Sequence, residues 1–292
     1  MARKVFVVGG TRYFGKKLVH LLLKAGDKIT LATRGNSSDS FGTALRRLHV
    51  DRTDTAAFRK ALGDERWDLV YDQVCYSPDE ARDACEILRG KVGRYVHTST
   101  QSVYMNDGEQ SEADFDPLRF PLRQGSRTEI SYSDAKRGAE AVFFAQAEFP
   151  IAAMRIPIVL GPDDYTGRLE FHIDRVRLGH PIVVPNRAAR TSFISSDAAA
   201  RFLFELGHSN SVGPLNAASP ETVSILEMME MISAAVGKNP VLAESGPDED
   251  RTPFTDRNSR YLSVAKARSL GFSFEPLSRW LPKLIQEVSH RR

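Results

Sequence analysis

The apolar positions of this chain alternate between short continuous runs and helically spaced sets. Val5–Val8 is a fully apolar run of strand length, Gly9–Gly15 is a glycine-bearing turn, and Leu18, Val19, Leu21 and Leu22 then recur at helical spacing. Further strands are predicted at Ile29–Ala32, Leu48–Val50, Leu69–Tyr71 and Tyr95–Thr98, with helices at Ala56–Leu62 and Asp79–Leu88 between them. Strands alternating with helices imply right-handed crossovers and hence an α/β fold, a Rossmann-type doubly wound parallel sheet with helices on both faces.

Residues 106–128 interrupt the rhythm with Gly108, Pro117, Pro121, Gly125 and several acids. They read as an exposed loop, and a loop of this length is often functional. A helix over Tyr132–Glu148 and a strand over Ala152–Ile156 follow, after which prolines from Pro157 onward divide the chain into short elements. The expected organisation is a dinucleotide-binding Rossmann region over residues 1–160 and a smaller C-terminal substrate-binding lobe over 161–292, with some elements returning to the sheet. No internal repeat is visible.

Composition adds bounds. The chain has 292 residues with 40 basic and 37 acidic side chains, a balance that by itself indicates no nucleic-acid partner. Cys75 and Cys85 are the two cysteines and form no CxxC motif, so a reducing, cytoplasmic setting is expected. The apolar run after Met1-Ala2-Arg3-Lys4 is too short for a secretory signal, and no segment reaches membrane-spanning length, so a soluble protein is expected. The seven histidines show no HxH or HExxH spacing, and there is no GxSxG elbow or Walker loop.

Two sets of residues carry candidate chemistry. A dinucleotide pyrophosphate needs backbone N–H groups at a helix N-terminus and little side-chain bulk, which Gly9, Gly10 and Gly15 would supply between the first strand and helix. Tyr132 and Lys136 have the YxxxK spacing, which puts both side chains on one helix face. An adjacent ammonium favours the phenolate of a tyrosine whose ordinary pKa is about 10. Tyr13 and Lys17 share this spacing but lie in the glycine turn.

These residues resemble the extended short-chain dehydrogenase/reductase family, the NAD(P)-dependent epimerase/dehydratase group. Gly9 and Gly15 match the outer glycines of its GxxGxxG turn, whereas Arg12 replaces the middle one. The run Gly9-Gly10-Thr11-Arg12-Tyr13-Phe14-Gly15 is similar to a variant from the branch that contains chloroplast stem-loop-binding proteins. The resemblance implies that Gly9, Thr11, Arg12, Tyr13, Phe14, Gly15 and Val74 contact the cofactor. NAD-specific sites place an acid after the second strand, but this chain has Ala32-Thr33-Arg34, and Arg34 with Arg12 suits a 2′-phosphate better. NADP is therefore expected somewhat ahead of NAD. Asp51-Arg52 resembles the family's adenine-contacting pair, or is a plain helix cap.

The segment Thr98 to Tyr104 is similar to the family's SSxxVY, which puts Thr100 at the catalytic Ser/Thr position beside Tyr132 and Lys136. Arg155 to Pro162 resembles RPxxVYGP, implying that Pro157 and Val159 approach the nicotinamide; the YxxxK lysine, Lys136, would also hydrogen-bond the ribose. Arg190, before Phe193 to Asp197, resembles an arginine that holds a nucleotide diphosphate; as a surface residue it would instead pair with a nearby acid. The implied protein is an NAD(P)-dependent epimerase, dehydratase or reductase acting on a nucleotide sugar. It would carry no metal; homodimers are common in the family, often through paired helices that here would include Asp79–Leu88 and Tyr132–Glu148, while the sequence itself leaves the oligomeric state open. The competing reading is a Rossmann-fold RNA-binding protein in which catalysis is reduced or lost, motivated by Arg12 and a pI near 8.8.

Overall fold

The computed structural model describes residues 2–254 and 258–291. It divides into two units: residues 1–105, 112–156 and 199–216 form the first, and 106–111, 157–198 and 217–292 the second. The chain thus leaves the first unit at residue 106, returns at 112, leaves again at 157, and returns for 199–216.

The first unit is built on β1 (Lys4–Val8), α1 (Tyr13–Lys24), β2 (Lys28–Thr33), β3 (Arg46–His49), α2 (Thr55–Leu62), β4 (Leu69–Asp72), α3 (Pro78–Ile87), β5 (Tyr95–Thr98) and α4 (Tyr132–Gln146). Strands Ile151–Arg155 and Gly213–Asn216 complete a seven-stranded sheet in the order 213–216, 151–155, β5, β4, β1, β2, β3. All its pairings are parallel; β1 sits between β2 and β4 with Val7 opposite both Leu31 and Tyr71. The sheet is thus the doubly wound α/β sheet that the alternating pattern requires. Its order reverses between β1 and β4, where the turns beyond the strand ends diverge and open a crevice.

Both faces are covered, so β1 and β4 are buried almost throughout. Phe6 meets Trp67 at 4.8 Å between ring centroids, and Phe58 of α2 packs beside them. Helix α3 begins where Ser77 accepts from the Glu80 N–H, with Pro78 in the first turn. Helix α4 begins where Ser131 accepts from the Asp134 N–H. Gly138 lets these two helices meet, since a Cβ there would stand 2.5 Å from Pro78 Cγ.

Segment 106–128 is more structured than its composition predicts. Gly108–Gln110 is a strand of the second unit paired with Arg260–Leu262. In the first unit, Glu112–Asp114 and Pro117–Arg119 form 3-10 turns, Phe115 and Pro117 are buried, and the second turn packs on α4. The order comes from a buried cation: Arg155 donates to the Glu112 and Phe115 carbonyls, so this backbone cannot remain in solvent.

The second unit holds a small mixed sheet and two strand pairs, one joining Ile158–Leu160 to Phe193–Ser195. Helices Arg168–Leu178, Ile225–Val236 and Leu277–His290 share a core that includes Phe193, Met228 and Trp280. Buried His172 stacks on Phe254 at 4.3 Å and shares a hydrogen bond with Thr252 Oγ1; burial pushes its imidazole down to about 4. No helix among the described residues is long and apolar enough to cross a membrane.

Candidate active site

The glycine turn takes its form from backbone geometry. Gly9 and Gly10 have φ of +81° and +121°, a region costly for residues with a Cβ. A Cβ on Gly9 would lie 2.9 Å from Val74 Cγ1, and one on Gly15 would lie 2.5 Å from Gln73 Oε1. The turn is therefore pressed against the segment after β4, bringing Gly9 and Val74 together at the sheet's switch point. Tyr13 also has positive φ, +51°, in a buried position. Helix α1 has no acid in its first turn and no side-chain cap, so its N-terminal N–H groups and dipole suit an anionic phosphate. This cradle fits a dinucleotide.

Arg12, at the N-cap position, does not point its guanidinium back to the helix but donates from Nε to Ser37 Oγ at 2.7 Å. Arg34 lies just beyond β2 with its side chain 66% exposed, and Nη1 is 3.9 Å from Asp51 Oδ2. The Thr53 N–H and hydroxyl hold the Asp51 carboxyl below its ordinary range, with help from the Arg34 and Arg127 charges.

Arg52, which the resemblance pairs with Asp51 at the adenine, is engaged within the protein. Its guanidinium is buried, bonds Asp72 at 2.5 Å and the Glu80 carbonyl at 2.8 Å, and ties the third crossover to β4 and α3. Tyr95 donates to the same Asp72 carboxylate at 2.6 Å. A buried guanidinium needs such partners, and this requirement accounts for the position.

Lys136 is 2% exposed, and its Nζ donates to the carbonyls of Cys75 at 2.8 Å and Thr98 at 2.7 Å. Desolvation pushes its ammonium down to about 8, opposed by the nearby Asp72, Glu140 and Glu80 carboxylates. Tyr132, one turn earlier, is 51% exposed, with its ring 6.2 Å from that of Tyr76. Thr100 is buried beyond β5 and caps the 3-10 turn Gln101–Val103 by accepting from the Ser102 N–H. The Thr98 carbonyl that receives Lys136 thus belongs to the same short segment as Thr100.

A second buried cluster supports that segment and was not foreseen. Arg155 forms a bidentate contact with Glu140, Ser99 donates to Glu140, and Arg155 also donates to Tyr104 Oη, which in turn donates to Asn216. The available signal was Glu140 four residues after Lys136, a position on the same helix face. Tyr76, whose ring adjoins Lys136 and Tyr132, and Arg127, which lies over that ring, carried no sequence signal.

In the second unit, Pro157 opens the segment 157–198 that follows strand 151–155, and Val159 is buried opposite Ile194. Arg190 lies there too: it donates to Thr222 Oγ1 at 2.8 Å and to its carbonyl, meets Glu227 at 3.2 Å, and remains 41% exposed. Among the described residues no group of His, Cys, Asp and Glu is placed to hold a metal.

A parallel sheet with a glycine cradle at its switch point, and a tyrosine preceding a buried lysine by one turn, defines a dinucleotide-fold protein of the short-chain dehydrogenase/reductase type. Residues 5–218 match the model of the NAD dependent epimerase/dehydratase family, and the chain belongs to that family of enzymes. It is 28% identical to 2'-dehydrokanamycin reductase of Streptomyces kanamyceticus, over 98% of this chain and 83% of that protein. It is 26% identical to the chloroplast stem-loop binding protein of 41 kDa b from Arabidopsis thaliana, over 91% and 73% respectively. Among solved structures, MoeE5 in complex with UDP-glucuronic acid and NAD superposes with a TM-score of 0.75 at 22% identity, each chain covered to 99%. The Bacillus cereus UDP-glucuronic acid 4-epimerase in complex with NAD gives 0.75 at 18% identity and the same coverage. These two likenesses are of fold.

Proposed function

We propose that the chain is an epimerase, dehydratase or reductase acting on a nucleotide sugar, with Tyr132 as acid/base, Lys136 as the charge beneath it and Thr100 as the group that holds the substrate hydroxyl. The carrying observation is a lysine 2% exposed, one helical turn from a half-exposed tyrosine. Burying an ammonium costs several kcal/mol, a cost that a role in tuning the tyrosine would justify. In the oxidising direction Tyr132 Oη takes the proton of a substrate hydroxyl as the hydrogen on the same carbon departs with its electron pair. In the reducing direction the phenol returns the proton. A dinucleotide bound along Gly9–Gly15, Val74 and Asp51 would supply the hydride acceptor or donor.

Two finer assignments follow. Arg34, with Arg12 steadied by Ser37, suits a 2′-phosphate, which favours NADP over NAD; such a phosphate would compete with Asp51 for Arg34. Arg190 is proposed as the clamp on the substrate diphosphate in a substrate-binding second unit. A paired-helix dimer has little of α4 to use, since Ala135, Lys136 and Gly138 to Phe143 are already buried in the single chain.

Mass spectrometry of cofactor and ligand released from the purified protein tests the class. With the substrate so identified, Tyr132→Phe should lower turnover by about a hundredfold or more while cofactor still binds. Full turnover in that variant would reject the acid/base role. The Arabidopsis relative's name motivates the alternative of RNA binding. RNA affinity with a steep salt slope, and no dinucleotide released, would favour it. The presence of Thr100, Tyr132 and Lys136 together speaks against it, since a pure binding module has no need of all three.

A further inference from the structure

Three groups converge on one aromatic ring that the family resemblance does not assign. Tyr76 lies between β4 and α3, one residue beyond the Cys75 carbonyl that accepts from Lys136. The Lys136 Nζ stands 5.1 Å from its ring centroid, the Arg127 guanidinium carbon 4.8 Å, and the Tyr132 ring 6.2 Å at an interplanar angle of 49°. The ring's own placement is fixed. The Tyr76 N–H donates to Glu80 Oε2 at 2.8 Å, and Arg127 donates to Glu80 Oε1 at 2.6 Å and to the Val74 carbonyl at 3.1 Å. Arg127 is itself held by a strap tethered to α3, where the Gly125 N–H donates to the Asp79 carboxylate and Arg82 to the Arg123 carbonyl.

We propose that Tyr76 is a positioning residue of the catalytic pair: its ring supports the buried Lys136 ammonium through a cation–π contact and backs the Tyr132 ring, with Arg127 clamping it in place. The proposal rests on the roles assigned above to Tyr132 and Lys136. Two carbonyls take two of the three ammonium protons, and a ring face attracts the remaining charge without consuming a donor. The contact counts for more in a desolvated site than at a surface. Around Lys136 the other charged or titratable groups are Asp72 and Cys75 from β4 and the segment after it, Glu80 from α3, Glu140 from α4, and His97 from β5, which burial keeps neutral. Of these, Asp72 is engaged by Arg52 and Tyr95, Glu140 by Arg155 and Ser99, and Glu80 by Arg127 and the Tyr76 N–H, and the ring face at 5.1 Å is a further neighbour that supports the ammonium.

The test compares Tyr76→Phe, which keeps the ring face, with Tyr76→Leu, which removes it. Titration of the Lys136 side chain by carbon NMR, assigned through the signal missing in Lys136→Arg, requires no turnover. The Leu variant should lower the Lys136 midpoint by about one pH unit and the Phe variant should leave it in place. Turnover should fall about tenfold or more in the Leu variant with cofactor affinity retained, and stay near wild type in the Phe variant. Should the Leu variant fail to fold, Tyr76→Met, unbranched and flexible enough to fill the same gap, is read instead. An unmoved Lys136 midpoint in a folded Leu or Met variant, or equal losses in Phe and Leu, would overturn the proposal. Failure of the underlying reading has a different signature, an active Tyr132→Phe.

Discussion

Arg155 donates to Glu140 Oε2 at 2.6 Å, and neither side chain is exposed to solvent. One stands at the end of strand 151–155 and the other midway along α4, so the pair joins the helix that carries Tyr132 and Lys136 to the sheet beneath it. Ser99 donates to the same carboxylate, and Arg155 also holds the carbonyls of Glu112 and Phe115. One buried ion pair therefore fixes the helix bearing Tyr132 and Lys136, the segment bearing Thr100 and the folded part of the long connection.

Removing only the acid should be costly. Glu140→Leu leaves an uncompensated buried guanidinium and should destabilise the fold by about 3–5 kcal/mol, whereas adding Arg155→Met should recover a large part of that loss. Urea unfolding of the two single variants and the double variant measures the coupling. Strictly additive losses would mean that the pair is not a unit.

Lys136 should make stability depend on pH in the alkaline range. Burial pushes its ammonium down to about 8, against 10.5 for an ordinary lysine. Between these values the unfolded chain keeps a proton that the folded chain has released, so stability contributed at this site rises with pH from about 8 and levels off near 10.5. The rise is on the order of 3 kcal/mol. Unfolding of wild type and Lys136→Met across that range checks it, and the variant should lack this part of the rise.

Arg34 should discriminate between cofactors. Arg34→Ala is expected to weaken NADP binding by about 1.5–3 kcal/mol, as for a charged hydrogen bond, and to leave NAD nearly unchanged. Fluorescence titration with each dinucleotide decides this, and equal losses would remove the 2′-phosphate assignment.

Arg190 should respond even to a conservative change. Its guanidinium already meets Thr222 and Glu227, so a diphosphate would join an oriented fork rather than a mobile cation. Arg190→Lys should raise KM for a nucleotide-sugar substrate and leave cofactor affinity alone, with melting temperature as the control for the lost internal bonds. Unchanged KM, or a substrate without phosphate, would leave Arg190 as a structural ion pair.

The alternation of apolar runs with helical spacing was enough to specify the parallel sheet and the place of the glycine turn, because both follow from short-range rules. A strand needs a few apolar residues in a row, a turn with positive φ needs glycine, and a YxxxK spacing on a helix shares one face wherever that helix lies. Tertiary packing decided what each charge does. Arg52 has its guanidinium inside, bonded to an aspartate 20 residues away, and Glu140, four residues after Lys136, is the counter-ion of Arg155. The same holds for residues 112–119, whose proline and acids suggest a solvated loop until the buried guanidinium requires the Glu112 and Phe115 carbonyls. The Tyr76 ring meets Lys136 and Arg127 only because β4, α4 and the strap converge. Burial converts polar side chains from solvent-facing groups into obligatory partners, and burial is a property of the packed chain, invisible in any local stretch of it.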